Sequence, residues 1–327
     1  MARIMWLLLA LLFLSTPVHG GQAESLPLYA LMAGGEEAYE VPPKTTINRV
    51  ALEKGVQWTV VARENELKKP FKIQSGMILK LNNTHIVPTD LSNGFVINLP
   101  ELLLYYFKDG VYQRRYALAV GKPSWPTPTG NYQLRNKTRN PTWTVPVSIQ
   151  EEMFNAGHEV VEKVPPGPKN PLGQYWMGTT AAGVGIHATN RPWSVGHFVS
   201  HGCIRMLPDE IAQLFPLVEV GLPVKIIYRP VKVAVTPQGR IFLEAHPNIY
   251  RKKLNYLELV QELAQQHQIV SRLDWDKVAA VLKAREGIAR DVTKAPLSPD
   301  PATKEVESQK PREMGLFPLQ GQGVKLE

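Results

Sequence analysis

Gly183-Val184-Gly185-Ile186-His187 and, after a loop, Val199-Ser200-His201-Gly202-Cys203-Ile204-Arg205 decide how this chain is read. Each is a short apolar run with glycine inside or beside it. The polar and aromatic loop from Asn190 to Phe198 joins them. Strands connected in this way can bring His187 beside Cys203, sixteen residues further on. The surrounding text supports strands. Phe95 to Leu99 alternates, Leu102 to Phe107 is aromatic and apolar, and Val111 to Val120 returns after the turn pair Asp109-Gly110. Val224 to Tyr228, Val231 to Val235 and Ile241 to Ala245 add further strands, the last two joined by Pro237-Gln238-Gly239. Trp125 to Gly130 and the proline-rich 165–173 punctuate the rest as rigid loops. Many short strands, Gly/Pro turns and few helices predict a mostly β domain over 95–229.

Outward from this block the text changes. Residues 45–88 combine helix-like spacing at Leu52, Val56 and Val60 with short strand-like runs, which predicts a small αβ module within 24–94. Pro208 to Val218 reads as a short helix. The hairpin after 230 leads into helical periodicity at Tyr256 to Ile269 and Trp275 to Leu282, a C-terminal helical extension ending near 291. From 292 to 327, five prolines, several charges and little apolar material predict a disordered tail.

The 327 residues carry 37 Lys+Arg against 29 Asp+Glu, a net charge of +8. The excess is spread along the chain, with no basic block of the kind that binds nucleic acid. It suits an anionic partner such as a cell-wall polymer. Arg3, the apolar run Ile4 to Leu14, Pro17 and the small residues up to Ala23 predict a secretory signal peptide over 1–23. Eleven apolar residues are too few to cross a bilayer core, which takes about 20. No membrane span is therefore expected after cleavage.

Export gives the single cysteine its meaning. Cys203 has no partner for an internal disulfide, and a lone thiol in an oxidising compartment is a candidate reactive group. The bland alternative is a small buried hydrophobe. A free thiol, with pKa about 8.5, is mostly protonated at neutral pH and needs a base, for which the His187 imidazole is the natural choice. No Asp or Glu lies in the segment to orient that imidazole, so a backbone carbonyl, that of Ala188, is the candidate acceptor. Gly202 lets the backbone approach a ligand, and the amides of His201, Gly202 and Cys203 are candidate oxyanion donors. His187, His197, His201 and Cys203 also offer zinc-type ligands, but in no usual spacing, and coordination would quench the nucleophile. No metal or organic cofactor is expected.

Ser200-His201-Gly202-Cys203-Ile204-Arg205-Met206, with Gly185-Ile186-His187 upstream, resembles the L,D-transpeptidase (YkuD-type) catalytic domain, in its Gram-negative periplasmic branch. Thr84 to Pro88, Val96 to Pro100, Trp125 to Gly130, Asn140 to Pro146 and Val164 to Gly173 extend the likeness. The resemblance implies a β-sandwich-like catalytic domain with Cys203 as nucleophile and His187 as general base. Ser200, His201, Gly202, Ala188 and Arg205 would line the oxyanion and substrate pocket. It further implies a periplasmic enzyme acting on peptidoglycan stem peptides at the L centre of the third-position diamino acid. D-Ala would leave, and an amine would take the acyl group, either another stem (a 3-3 cross-link) or the lysine of an outer-membrane lipoprotein. A hydrolase with water as acceptor, and a cell-wall binding protein without activity, are the competing functions. The family usually has glycine after the base histidine, and the methyl group of Ala188 is expected to narrow the pocket. The 24–94 module resembles a degenerate LysM.

Overall fold

The computed structural model describes residues 26–295. The signal peptide expected over 1–23 and residues 296–327 of the expected tail lie outside them. The chain opens with strands β1 (Leu28–Tyr29), β2 (Met32–Ala33) and β3 (Glu36–Glu40). Helices α1 (Ile47–Lys54) and α2 (Trp58–Glu64) follow, then β4 (Ile78–Asn82) and β5 (His85–Ile86). The single apolar periodicity read through 52–60 is broken by Gly55, which takes a left-handed φ of 64° and caps α1, while the Thr46 side chain caps its start. β3 pairs antiparallel with β4, and Val50, Val61, Leu79 and Leu81 form the module's own small core.

The β domain holds β6 (Gly94–Asn98), β7 (Leu103–Lys108), β8 (Val111–Gly121) and β9 (Gly130–Arg139). An excursion follows, with β10 (Trp143–Thr144), α3 (Val147–Asn155) and β11 (Lys163–Val164). The chain then returns through β12 (Tyr175–Thr179), β13 (Gly185–His187), β14 (Phe198–Ser200), β15 (Ile204–Met206), α4 (Pro208–Leu214) and β16 (Pro223–Ile227). Pairing runs β14-β8-β15-β13-β12-β9-β16-β6-β7, and β7 also pairs with β8, so the sheet closes on itself. The predicted mostly β, sandwich-like domain is therefore observed, with closure removing most free edges. Strand alternation accounts for the core. Phe95, Ile97, Leu104 and Ile226 point into the closed sheet with Met177, Ile186, Ile204 and Met206, whereas Val96, Tyr105 and Ile227 face the other way and are covered too.

Val87, Leu91 and Ala33 pack over them, and a second layer follows. β17 (Val231–Val235) and β18 (Ile241–Ala245) form the expected hairpin, followed by α5 (Tyr256–Gln266), α6 (Trp275–Ala284) and β19 (Arg290–Asp291). The sheet order is β1-β17-β18-β19, with α5 and α6 packed on it through Val260, Leu263, Val278 and Leu282. Two sequence boundaries are corrected here. β1 lies parallel to β17, so the chain's first described strand belongs to the C-terminal sheet and not to the 24–94 module. The tail expected from 292 starts later, because Val292 is fully buried and Thr293 bridges to Leu273. Both follow from sheet pairing, which a local reading of composition cannot see.

One buried ionic cluster ties the layers together. Lys232 of β17 is fully buried, 2.9 Å from Glu101 and 3.1 Å from Glu244 of β18. Glu244 accepts from the Ile86 amide of β5 at 2.6 Å and meets His246 at 2.7 Å. Burial pushes the Glu244 carboxyl up, but Lys232 and His246 outweigh it and hold it well below the usual carboxylate range.

Candidate active site

The site is built on two neighbouring parallel strands. β13 and β15 pair with Ile186 opposite Ile204 and His187 opposite Arg205. The two isoleucines point into the core, so His187 and Arg205 share the opposite face. Cys203, two residues before Arg205, continues the alternation onto that face. Its sulfur lies 3.4 Å from the Gly183 carbonyl and accepts from the Gly185 amide, both at the entry to β13. The thiol is half-buried and unpaired. His187 is buried, and its Nδ1 donates to the Ala188 carbonyl at 2.5 Å, the acceptor suggested by the sequence. The Leu172 carbonyl also faces the ring. With Nδ1 carrying the proton, Nε2 is the free basic nitrogen.

The sequence reading missed Trp176. It stands opposite His187 on β12 and its indole stacks on the imidazole, with centroids 5.9 Å apart and planes at 27°. Gly185 makes this possible, since a Cβ there would stand 2.3 Å from the indole ring. The available signal was strand alternation across Tyr175 to Thr179, which puts Trp176 on the same face as His187 once register is known. Two further supports come from outside the motif. Thr127 donates to the Gly202 carbonyl at 2.8 Å, and Tyr250 of the C-terminal extension accepts from the Thr127 amide at 3.2 Å.

Electrostatics follow from burial. Desolvation first, then the Arg205 charge, brings the His187 pKa down to about 4, against the pull of its carbonyl partners. Desolvation pushes the Cys203 thiol up, opposed by the Gly185 amide and Arg205. Burial thus disfavours the charged form of each group, the imidazolium of His187 and the thiolate of Cys203. Arg205 itself makes no ion pair among the described residues, and its Nε is buried without a partner.

Other expected pocket residues take different places. Ser200 is buried, donating to the Cys203 carbonyl at 2.5 Å and accepting from the Gly202 amide at 3.2 Å, so it clamps the loop from within. That corrects the expectation for the Gly202 amide, which is committed to Ser200 and not open to an oxyanion. Gly202 has a φ of 105°, a conformation that favours glycine. The His201 ring turns toward the excursion, with Nε2 2.8 Å from Glu152 of α3 and 3.2 Å from Lys122, and its ring against Trp125. The Ala188 methyl does not narrow the pocket. It is buried in the core, and a Cβ on Gly173 would stand only 2.7 Å from it, so the absent side chain of Gly173 makes its room. The zinc-type quartet is not assembled, since His197 turns to the Val195 carbonyl and His201 to Glu152. Among the described residues the convergent ligand set is Glu101, Glu244 and His246, where the Lys232 ammonium already neutralises the carboxylates.

The L,D-transpeptidase catalytic domain matches residues 92–226, which contain every one of the β13 and β15 residues above. The probable L,D-transpeptidase ErfK/SrfK of Escherichia coli K12 is 32% identical over 256 residues, covering 76% of this chain and 81% of that protein. This chain belongs to the L,D-transpeptidase family. The probable L,D-transpeptidase YcfS of the same organism is 29% identical over 263 residues, covering 78% of this chain and 82% of that protein. The NMR structure of the catalytic domain of an E. faecium L,D-transpeptidase is 27% identical, covers 42% of this chain and 99% of that one, and superposes with a TM-score of 0.32. The protein is thus an L,D-transpeptidase, of a family that acts on peptidoglycan. Both E. coli relatives match well beyond 92–226, so the similarity includes flanking layers as well as the catalytic domain. No helix among the described residues is long and apolar enough to cross a membrane.

Proposed function

We propose that this L,D-transpeptidase works in the periplasm by acyl transfer through Cys203, with His187 as the base. The reading is supported by the pairing of β13 with β15, which sets His187 opposite Arg205, and by the Arg205 charge acting on both His187 and Cys203. Burial disfavours the charged form of each reacting group, so the thiol proton passes to Nε2 of His187 as sulfur attacks the carbonyl carbon. The carbonyl is that of the third-position diamino acid of a stem tetrapeptide. Its C–N bond breaks, and His187 returns the proton to the departing amine of D-Ala. An acceptor amine then attacks the thioester, giving its proton to His187, and the thiol is restored. The cation of Arg205 beside the thiol suits a carboxylate of the donor peptide. The Cys203 amide remains the candidate oxyanion donor. Ser200 and Gly202 shape the loop around it, and His201 joins the pocket wall to α3 through Glu152.

The acceptor is the diamino acid of a second stem or the terminal lysine of an outer-membrane lipoprotein. Incubation with purified sacculi followed by mass spectrometry of the muropeptides tests this. Cross-linked dimers or lipoprotein-linked stems are expected, while stems that are only trimmed would mean water is the acceptor. Loss of all products in Cys203→Ala, with the fold retained, is required. We also read the αβ unit around α1 and α2 as a LysM-like wall-binding module, supported by its separate small core.

A further inference from the structure

A cleft of about 580 Å³ lies between three parts of the molecule. One wall is α1 and α2, the second is the 192–198 stretch of the loop that carries the chain from His187 to Cys203, and the third is 246–249 with 286–287. The volume falls in the range of small-molecule sites, about 300–1,000 Å³, and such sites favour junctions between domains. Two indoles stand on opposing walls, Trp58 at 39% exposure and Trp193 at 73%. Exposed large aromatics facing one cavity are unusual on a surface without a partner. Between them lie uncharged hydrogen-bonding groups, with Asn48 and Thr59 exposed on the helical wall.

Charge decides what can bind. Each Arg or Glu lining the cleft already has a counter-charge. Arg49 holds Asp209 at 2.6 Å, Glu286 holds Arg63 and, at 3.2 Å, Arg290, and Glu101 holds Lys232 at 2.9 Å. Neither an anionic nor a cationic ligand finds an unmatched partner there, in contrast to Arg205 in the thiol site. A neutral ligand with apolar faces and polar edges does fit. A pyranose ring has that form, with axial C–H groups to lie on an indole and hydroxyl or acetamido groups to hydrogen-bond at the sides.

We propose that this cleft is a saccharide subsite that holds the glycan strand of the wall polymer while its stem peptide occupies the thiol site. The inference rests on the reading of peptidoglycan as substrate and names the part of it that the cleft takes. The walls are held together closely enough to form a defined site. Leu52 of α1 packs with Val195, Leu207 and Ala117, and a Cβ on Gly196 would stand 2.8 Å from Leu52. The loop that links His187 to Cys203 thus lies against the helical module, so sugar bound in the cleft touches the same loop that carries the catalytic motif.

The test is calorimetric titration of the full chain with uncharged oligomers of N-acetylglucosamine, which share the sugar faces and acetamido edges of the wall glycan and carry no stem peptide. Saturable binding is expected, and Trp193→Ala should weaken it at least about tenfold, as should Trp58→Ala. Trp193 is largely exposed, so its removal leaves the fold intact, whereas Trp58 packs on Phe71 at 5.4 Å and its variant needs a thermal-melt control. Absence of binding, or binding that both variants leave unchanged, overturns the proposal. The ligand carries no stem peptide for Cys203. Failure here therefore leaves the acyl-transfer reading standing, whereas saturable glycan binding without new muropeptides would count against the acyl-transfer reading and leave the cleft a saccharide site.

Discussion

Burial opposes the charged forms of Cys203 and His187, and this sets the direction of their pH behaviour. Cys203→Ala should abolish turnover while shifting stability by less than about 1 kcal/mol, since a half-buried thiol contributes little packing; a thermal melt and muropeptide analysis read both. His187→Ala should slow acylation by about 10²–10⁴, the usual contribution of a positioned base. Arg205 lowers the pKa of both partners, so Arg205→Gln should raise both. The acid limb of kcat/KM, set by His187 near pH 4, should then move to higher pH, and the iodoacetamide reactivity of Cys203 should rise only at more alkaline pH than in the parent. A pH–rate profile with unmoved limbs would remove Arg205 from the electrostatics of the pair. Gly185→Ala places a methyl 2.3 Å from the Trp176 ring, so the indole must leave its stacked position over His187. Such overpacking typically costs about 1–3 kcal/mol, and denaturant unfolding together with loss of acylation should report it.

Elements place these residues through register, and register is where the sequence was silent. β13 and β15 were legible as apolar runs, and their glycines marked close backbone approaches. Their direct parallel pairing was not legible, nor was Trp176 on β12 as the third member of the face. Within the excursion 140–174 only 165–173 read as a rigid loop, and α3, whose side chains are not buried, went unread. The ends of the excursion are tied by the β10–β11 pairing and by buried Asn170, which donates to the Pro141 carbonyl at 2.8 Å and to those of Val164 and Pro165 at 3.2 Å. A helix without a buried face leaves no apolar stripe for periodicity to detect. In the second layer, Lys232 on β17 sits among Glu101, Glu244 and the Ile86 carbonyl. Lys232→Ala leaves two buried carboxylates without their cation, at a cost of about 3–5 kcal/mol. Equilibrium unfolding in urea should show it, and should also show stability falling with acid. The Glu244 carboxyl is depressed by Lys232 and His246, so its contribution is present above the ordinary carboxylate pKa and is lost as pH falls below it.

At the scale of the molecule, the chain folds back on itself more than its linear text suggests. β1 completes the C-terminal sheet, Arg63 and Arg290 join α2 to the segment after α6 through Glu64 and Glu286, and Tyr250 supports the loop before Cys203. The domains read from composition are therefore layers of one packed unit, and the cleft exists only because three of them meet. By itself the sequence determined the family, the predominance of β structure, and the carbonyl that His187 bonds, because these are local facts of residue type and spacing. Only the tertiary structure decided which face each side chain occupies, that the Gly202 amide is taken by Ser200, and that burial disfavours the charged forms of Cys203 and His187. Those properties depend on strand pairing and on exclusion of water by distant segments, and neither quantity is written in any short stretch of chain.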